Sequence, residues 1–156
     1  MHFVVGFQFN KDGTRVALIR KGHPEWQSGL LNGIGGHVEL GESAPAAMLR
    51  EFCEETGVSQ EHTRWRNFAS IRTWTGNLVD FFSSFTDEVD LVRTATDEEV
   101  AVFNVSSVPT LKERALPNLM WLIPLALSMS VNGDGRESSS LMVVTEMPPV
   151  FGPGRT

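Results

Sequence analysis

Tyrosine is absent from this 156-residue chain, and cysteine occurs once, at Cys53. A lone thiol cannot close an internal disulfide, so the core alone must hold the fold. Such a chain suits a reducing compartment, and a cytoplasmic location is expected. No apolar run reaches the roughly 18 residues that a membrane-spanning helix needs. The opening MHFVVGFQF has no basic stretch ahead of a long apolar one, so neither a signal peptide nor a membrane anchor is expected. Positive charge is also scarce: 13 Lys and Arg stand against 19 Asp and Glu, for a net charge of −6. Binding a nucleic-acid polymer calls for a basic stripe, and none is present. A small phosphorylated ligand is still open, because a bound divalent ion supplies positive charge locally. No internal repeat and no low-complexity block interrupts the chain.

What is present is ordinary globular composition, 41% apolar and 21% charged. At this length folding removes roughly 70% of the unfolded chain's surface from water, enough for a core without staples. Strands are expected over 3–9 and 15–21, joined by the turn Asn10-Lys11-Asp12-Gly13, and again over 65–74, 78–85 and 100–105. A glycine-rich irregular stretch fills 22–36. The helix after it has Ser43 as N-cap, Pro45 in the first turn and Gly57 just past its end. A second helix is expected over 118–129, with Pro124 as a bend or a sign of a later start. Strands before, between and after two helices indicate an α/β layer fold. The polar segment 131–140 and the tail to 156, with one added strand, are set apart from the domain at 1–130.

The chemistry concentrates in GHVELGESAPAAMLREFCEETGV, residues 36–58. Glu51, Glu54 and Glu55 stand at i, i+3 and i+4, so three carboxylates share one helical face. Like charges at these spacings repel, so stability alone would avoid them. Hard oxygen donors crowded in this way suit Mg²⁺ or Mn²⁺, which bind a few carboxylates together with substrate phosphates. Met48, Leu49 and Phe52 offer an apolar stripe for packing, and Cys53 reads as a packing residue. Arg50 is placed to brace Glu42 or another loop carboxylate. The plain alternative is a solvated acidic face.

The spacing decides between these. Gly36, Glu42, Arg50, Glu51, Phe52, Glu54, Glu55, Gly57 and Val58 match the Nudix box at every position. Seven fixed letters make a chance match on the order of one in a billion per start site. The chain is thus identified as resembling the Nudix hydrolase superfamily and its MutT-like members, over residues from about 3 to 127. The resemblance implies an α/β/α sandwich around a mixed sheet and metal-dependent hydrolysis of a nucleoside diphosphate linked to a further group. It implies Glu51, Glu54 and Glu55 as ligands of Mg²⁺, or of Mn²⁺, with a backbone carbonyl from Gly36 or Gly35. Glu42, Arg50 and Gly57 would hold the box. Glu98, ahead of Asp97 and Glu99, would be a later carboxylate completing the metal site or acting as base, and Glu51 is the other candidate base.

Substrate markers are read partly by absence. Trp74 stands about sixteen residues after the box, where ADP-ribose hydrolases of the family carry proline. An SQPWPFP-like stretch, a downstream tyrosine and the coenzyme A signature are missing. In contrast, Asn32-Gly33-Ile34-Gly35-Gly36 resembles the WNGFGG-type stretch of oxidised purine nucleoside triphosphatases, and Pro117-Asn118 before Trp121–Leu125 resembles their Pro-Asp element. Asn118 replaces the aspartate of that element and Leu116 its tryptophan. Asn32 and Asn118 would then read the base, since an amide both donates and accepts; the alternative role for Asn118 is a helix N-cap. Trp26 could stack on a base or anchor its loop. His23 and His37 could touch phosphate or simply line the site, and Trp121 reads as core. The expected activity is conversion of a nucleoside triphosphate to a monophosphate and pyrophosphate, in a protein that binds a small-molecule nucleotide and could pair as a homodimer. The alternatives are an ADP-ribose or nucleoside diphosphate sugar pyrophosphatase, and a catalytically silent nucleotide-binding module.

Overall fold

A computed structural model describes residues 1–59, 64–111, 114–130 and 142–145. Its strands are β1 (His2–Phe9), β2 (Arg15–Arg20), β3 (Leu31–Asn32), β4 (Arg66–Arg72), β5 (Leu78–Phe85), β6 (Val100–Asn104) and β7 (Met142–Thr145). Its helices are α1 (Ala44–Thr56) and α2 (Leu119–Ser130). Short 3-10 turns run over Glu25–Gln27, Asp87–Leu91 and Val105–Leu111. The sequence pattern marks neither these turns nor the two-residue β3. Along the sheet the order is β3-β2-β1-β5-β4-β7, with β6 on β2.

The sheet is mixed. β1 runs parallel to β5 from His2↔Leu78 to Phe9↔Phe85, while β2 meets β1 antiparallel only at Gln8↔Ala17 and Phe9↔Val16. Beyond that point β1 and β2 part, and the chain from β3 onward fills the gap through bridges Gly6↔Ile34 and Phe3↔His37. Glycine permits this approach. A Cβ on Gly35, at φ 155°, would stand 2.1 Å from the Val4 carbonyl oxygen, and one on Gly33 would stand 2.6 Å from Val5.

Both faces of the sheet are covered, which is why β2 reads as a continuous apolar run rather than an alternating one. Val16 and Leu18 belong to a core shared with Phe7, Phe81 and the α2 residues Leu119, Leu122 and Ile123. Ala17 and Ile19 belong to a second core with Val4, Ile34 and the α1 residues Met48 and Phe52. Truncating a fully buried phenylalanine such as Phe52 to alanine costs about 3–5 kcal/mol. The layers are therefore α1, sheet and α2, the expected α/β/α arrangement. Pro124 lies inside α2, and β7 pairs parallel with β4. Among the described residues no helix is long and apolar enough to cross a membrane.

Three packing expectations need correction. Leu49 is exposed, and the inward stripe of α1 is Ala47, Met48, Phe52 and Thr56. Cys53 is exposed between the glutamates instead of packed. Trp121 stays 38% exposed on α2, because Leu119, Leu122, Ile123 and Ala126 take the buried face.

Candidate active site

Local chemistry sets the direction of α1. The Ser43 hydroxyl accepts from the Ala46 amide at 3.3 Å, Pro45 sits in the first turn, and Gly57, at φ 68°, returns its N–H to the Cys53 carbonyl. This fixes the rotation that carries Glu51 toward the 33–36 segment. A Cβ on Gly36 would lie 2.4 Å from the Glu51 carboxylate, so only glycine lets that carboxylate and the backbone meet.

Arg50 ties the box together. Its Nε and Nη2 donate to the two carboxylate oxygens of Glu42, both at 3.0 Å, and Nη2 also donates to the His37 carbonyl at 2.9 Å. Nη1 donates to Glu51 at 2.9 Å and to Glu54 at 3.2 Å. The Glu42 bond above all holds the guanidinium's pKa above its ordinary value. The same bond, aided by the Glu39 amide, holds Glu42 below its own. Burial pushes Glu51 above the ordinary glutamate value; Arg50 opposes this, and the Glu54 and Glu55 charges add to it.

Glu55 is engaged elsewhere, accepting from the Thr96 hydroxyl at 2.6 Å. Glu98 is 4% exposed, and its carboxylate accepts from the Lys21 ammonium and the Gly22 amide, and from the His23 amide at 3.2 Å. Burial raises its pKa, but Lys21 and these amides outweigh that, and the net displacement is downward. Asp97 is exposed and Glu99 pairs with Arg20 at 3.1 Å. Arg50 thus joins Glu51 and Glu54, while Glu55 and Glu98 are held by other partners. Among the described residues no three His, Cys, Asp or Glu side chains form a group that could hold a metal ion.

The donor set nonetheless fits a hard divalent cation. Glu51 is a largely buried carboxylate with two acidic neighbours, pressed against a glycine that leaves space for nothing larger. That excess negative field is what a bound cation relieves. The Gly36 carbonyl accepts from the Val4 amide at 2.9 Å and keeps a second lone pair.

A cavity of about 870 Å³ is lined by Gly35, Gly36, Asn32, Asn118, Trp26 and Lys21 among others, with no residue of α1 in its lining. The Asn32 Oδ1 accepts from the Gly33 amide at 2.8 Å, and its Nδ2 donates to the Gln27 carboxamide oxygen at 3.4 Å. Asn118 does not cap α2 with its side chain. Its backbone carbonyl accepts from Leu122 at 2.9 Å, while its Oδ1 is buried with no hydrogen-bond partner among the described residues. Trp26 is 70% exposed at the rim and so anchors nothing. The exposed His37 ring packs edge-on against Phe3 at 5.3 Å and is outside the cavity lining. Sequence reasoning missed Thr96, Lys21 as the partner of Glu98, Gln27, and Trp74 at the cavity. Only Trp74, a large aromatic beside the turn signal Thr75-Gly76-Asn77, left a trace that a pattern could have caught.

A family model described as NUDIX domain matches residues 3–122. Solved structures that share the fold include three from bacteria. One is from a structure and function analysis of MutT from Aliivibrio salmonicida and Vibrio cholerae, at TM-score 0.62 and 21% identity, covering 79% of this chain and 95% of that one. Another is the NUDIX domain of Shewanella oneidensis NrtR in complex with ADP ribose, at 0.64 and 18%, covering 83% and 88%. The third is a NUDIX hydrolase from Nitrosomonas europaea, at 0.66 and 17%, covering 93% and 78%. No curated protein matches the chain significantly in sequence.

Proposed function

The chain belongs to the NUDIX family, hydrolases of pyrophosphate-containing substrates, and from that premise we propose that it hydrolyses nucleoside triphosphates to the monophosphate and pyrophosphate with Mg²⁺. The observation that carries this reading is the Glu51 carboxylate, raised in pKa and set against the bare backbone of Gly36 at the head of an acidic helix face. Glu51, Glu54, Glu55 and the Gly36 carbonyl would hold the ion. When bound, such an ion neutralises phosphate charge and lowers the pKa of a coordinated water.

The chain's own residues supply the rest. Arg50 fixes the orientation of Glu51 and keeps the box loop against α1 through Glu42 and the His37 carbonyl. A carboxylate must take the proton from the attacking water as the P–O bond to the leaving pyrophosphate breaks. Glu51 and Glu98 are the two candidates. Lys21 and two backbone amides engage Glu98, and Arg50 engages Glu51. Asn118 presents an unpartnered acceptor and Asn32 a weakly engaged donor, a pair that suits a base edge carrying both a donor and an acceptor. A role in clearing oxidised or excess nucleotides follows from this reading.

ADP-ribose is the second reading. It draws on the ADP-ribose complex of the S. oneidensis neighbour and on a cavity volume near the top of the usual range for small-molecule sites. One panel decides between them: canonical dNTPs, 8-oxo-dGTP, ADP-ribose and a sugar nucleotide with Mg²⁺, with each product identified. Pyrophosphate and a monophosphate from a triphosphate support the first reading. Turnover of ADP-ribose alone supports the second, and nucleotide binding without turnover of any member indicates a binding module.

A further inference from the structure

Seven large apolar side chains stand exposed among the described residues, and three of them, Met1, Trp26 and Trp74, line one cavity. Trp26 is 70% exposed and Trp74 58%. A tryptophan left in water forgoes the burial that normally makes it stabilising, and a local concentration of exposed apolar surface marks a binding surface. The two rings come from opposite flanks of β1. Trp26 stands in the connection leaving β2 and Trp74 in the turn between β4 and β5, with β1 between them in the strand order.

Several hydrogen bonds hold the turn that carries Trp74. The Thr73 amide donates to the Asn77 carbonyl at 2.8 Å, the Gly76 amide to the Thr73 carbonyl at 2.9 Å, and the Asn77 amide to the Thr73 hydroxyl at 3.0 Å. The chain's terminal ammonium adds a bond to Asn77 Oδ1 at 3.0 Å. These bonds end β4 at Arg72, short of the Trp74 expected from the pattern. They leave the indole with no hydrogen-bonding duty in the turn and hold its backbone before any ligand arrives, which lowers the entropy lost on binding.

We propose that Trp74 is a base-binding residue whose indole, with Trp26 on the opposite flank, stacks on the flat ring of the bound nucleobase, while the phosphates lie toward Gly35 and Gly36. This deepens the nucleotide reading of the same site and rests on it. Stacking is tolerant, because every base has a π-face. The clamp therefore admits the base, and Asn32 and Asn118 discriminate among bases.

The test titrates the full chain with dGMP, dCMP and ribose 5-phosphate, following tryptophan fluorescence and heat. Trp74→Ala weakens dGMP and dCMP roughly tenfold or more, while Trp74→Phe recovers most of the affinity. Trp74→Leu, which keeps an apolar group without a ring, behaves like alanine. Ribose 5-phosphate, which has no base, binds wild type and all three variants alike. Affinities within twofold of wild type for Trp74→Ala, an equal loss for ribose 5-phosphate, or no monophosphate binding to the wild type each overturn the clamp. Monophosphate binding that depends on Trp74, with no turnover of any nucleoside triphosphate, overturns the triphosphatase reading and leaves the clamp standing.

Discussion

The Thr96 hydroxyl donates to the Glu55 carboxylate at 2.6 Å and accepts from the Glu98 amide at 3.2 Å, so one side chain links the acidic helix to the loop bearing the buried Glu98. The Ala95 amide reinforces the link, donating to the Glu55 carbonyl at 3.1 Å. The hydroxyl fixes one carboxylate oxygen of Glu55, and the other has no hydrogen bond among the described residues. Groups that orient a ligand in this way commonly change metal affinity 10- to 100-fold when removed.

Thr96→Val is therefore expected to weaken Mn²⁺ binding about tenfold or more in a calorimetric titration, while Thr96→Ser stays near wild type. Both variants should melt close to wild type, because Thr96 is exposed. Unchanged Mn²⁺ affinity in Thr96→Val means that Glu55 needs no such support.

Arg50 and Glu42 form a two-pronged pair across the start of α1. Lysine keeps the charge and loses the fork. Arg50→Lys is expected to lower unfolding free energy by about 1–3 kcal/mol in urea. A double-mutant cycle with Glu42→Gln should give a coupling of about 1 kcal/mol. A coupling near zero means that the pair is ordinary surface charge.

The Glu98–Lys21 contact gives a pH signature. Glu98 is displaced downward in the fold, so its contribution is fully present above the unfolded glutamate value and is lost as pH falls through its folded value. Wild type should therefore lose melting temperature more steeply than Glu98→Gln as pH drops below about 4.5. Parallel curves for the two proteins mean that the contact adds no pH-dependent stability.

Much of α1 was legible because its signals are local: the Ser43 cap, Pro45, the left-handed Gly57 and the spacing of the box all lie within one short stretch. β1, β2 and β5 declared themselves by apolar pattern. The parallel pairing of His2 with Leu78, and the meeting of Lys21 with Glu98, depend on residues more than 70 positions apart, which no local period reveals. β3 is two residues long, below the length at which alternation has meaning. Asn118 keeps the Oδ1 that a cap would use, because the Met120 and Trp121 amides of the first turn of α2 bond to the Pro117 and Asn118 carbonyls. The exposure of Trp74 came from a turn whose bonds end the strand two residues earlier than its apolar pattern suggests.

The most direct test of the account is pyrophosphate release from a nucleoside triphosphate with Mg²⁺, measured for wild type and for Glu54→Gln. Glu54 is exposed and bonds only to Arg50 among the contacts described, so the variant should fold and melt like wild type. The account predicts that its turnover falls by orders of magnitude and that wild-type turnover stops in EDTA. Full turnover by Glu54→Gln, or wild-type activity that survives chelation, would contradict it.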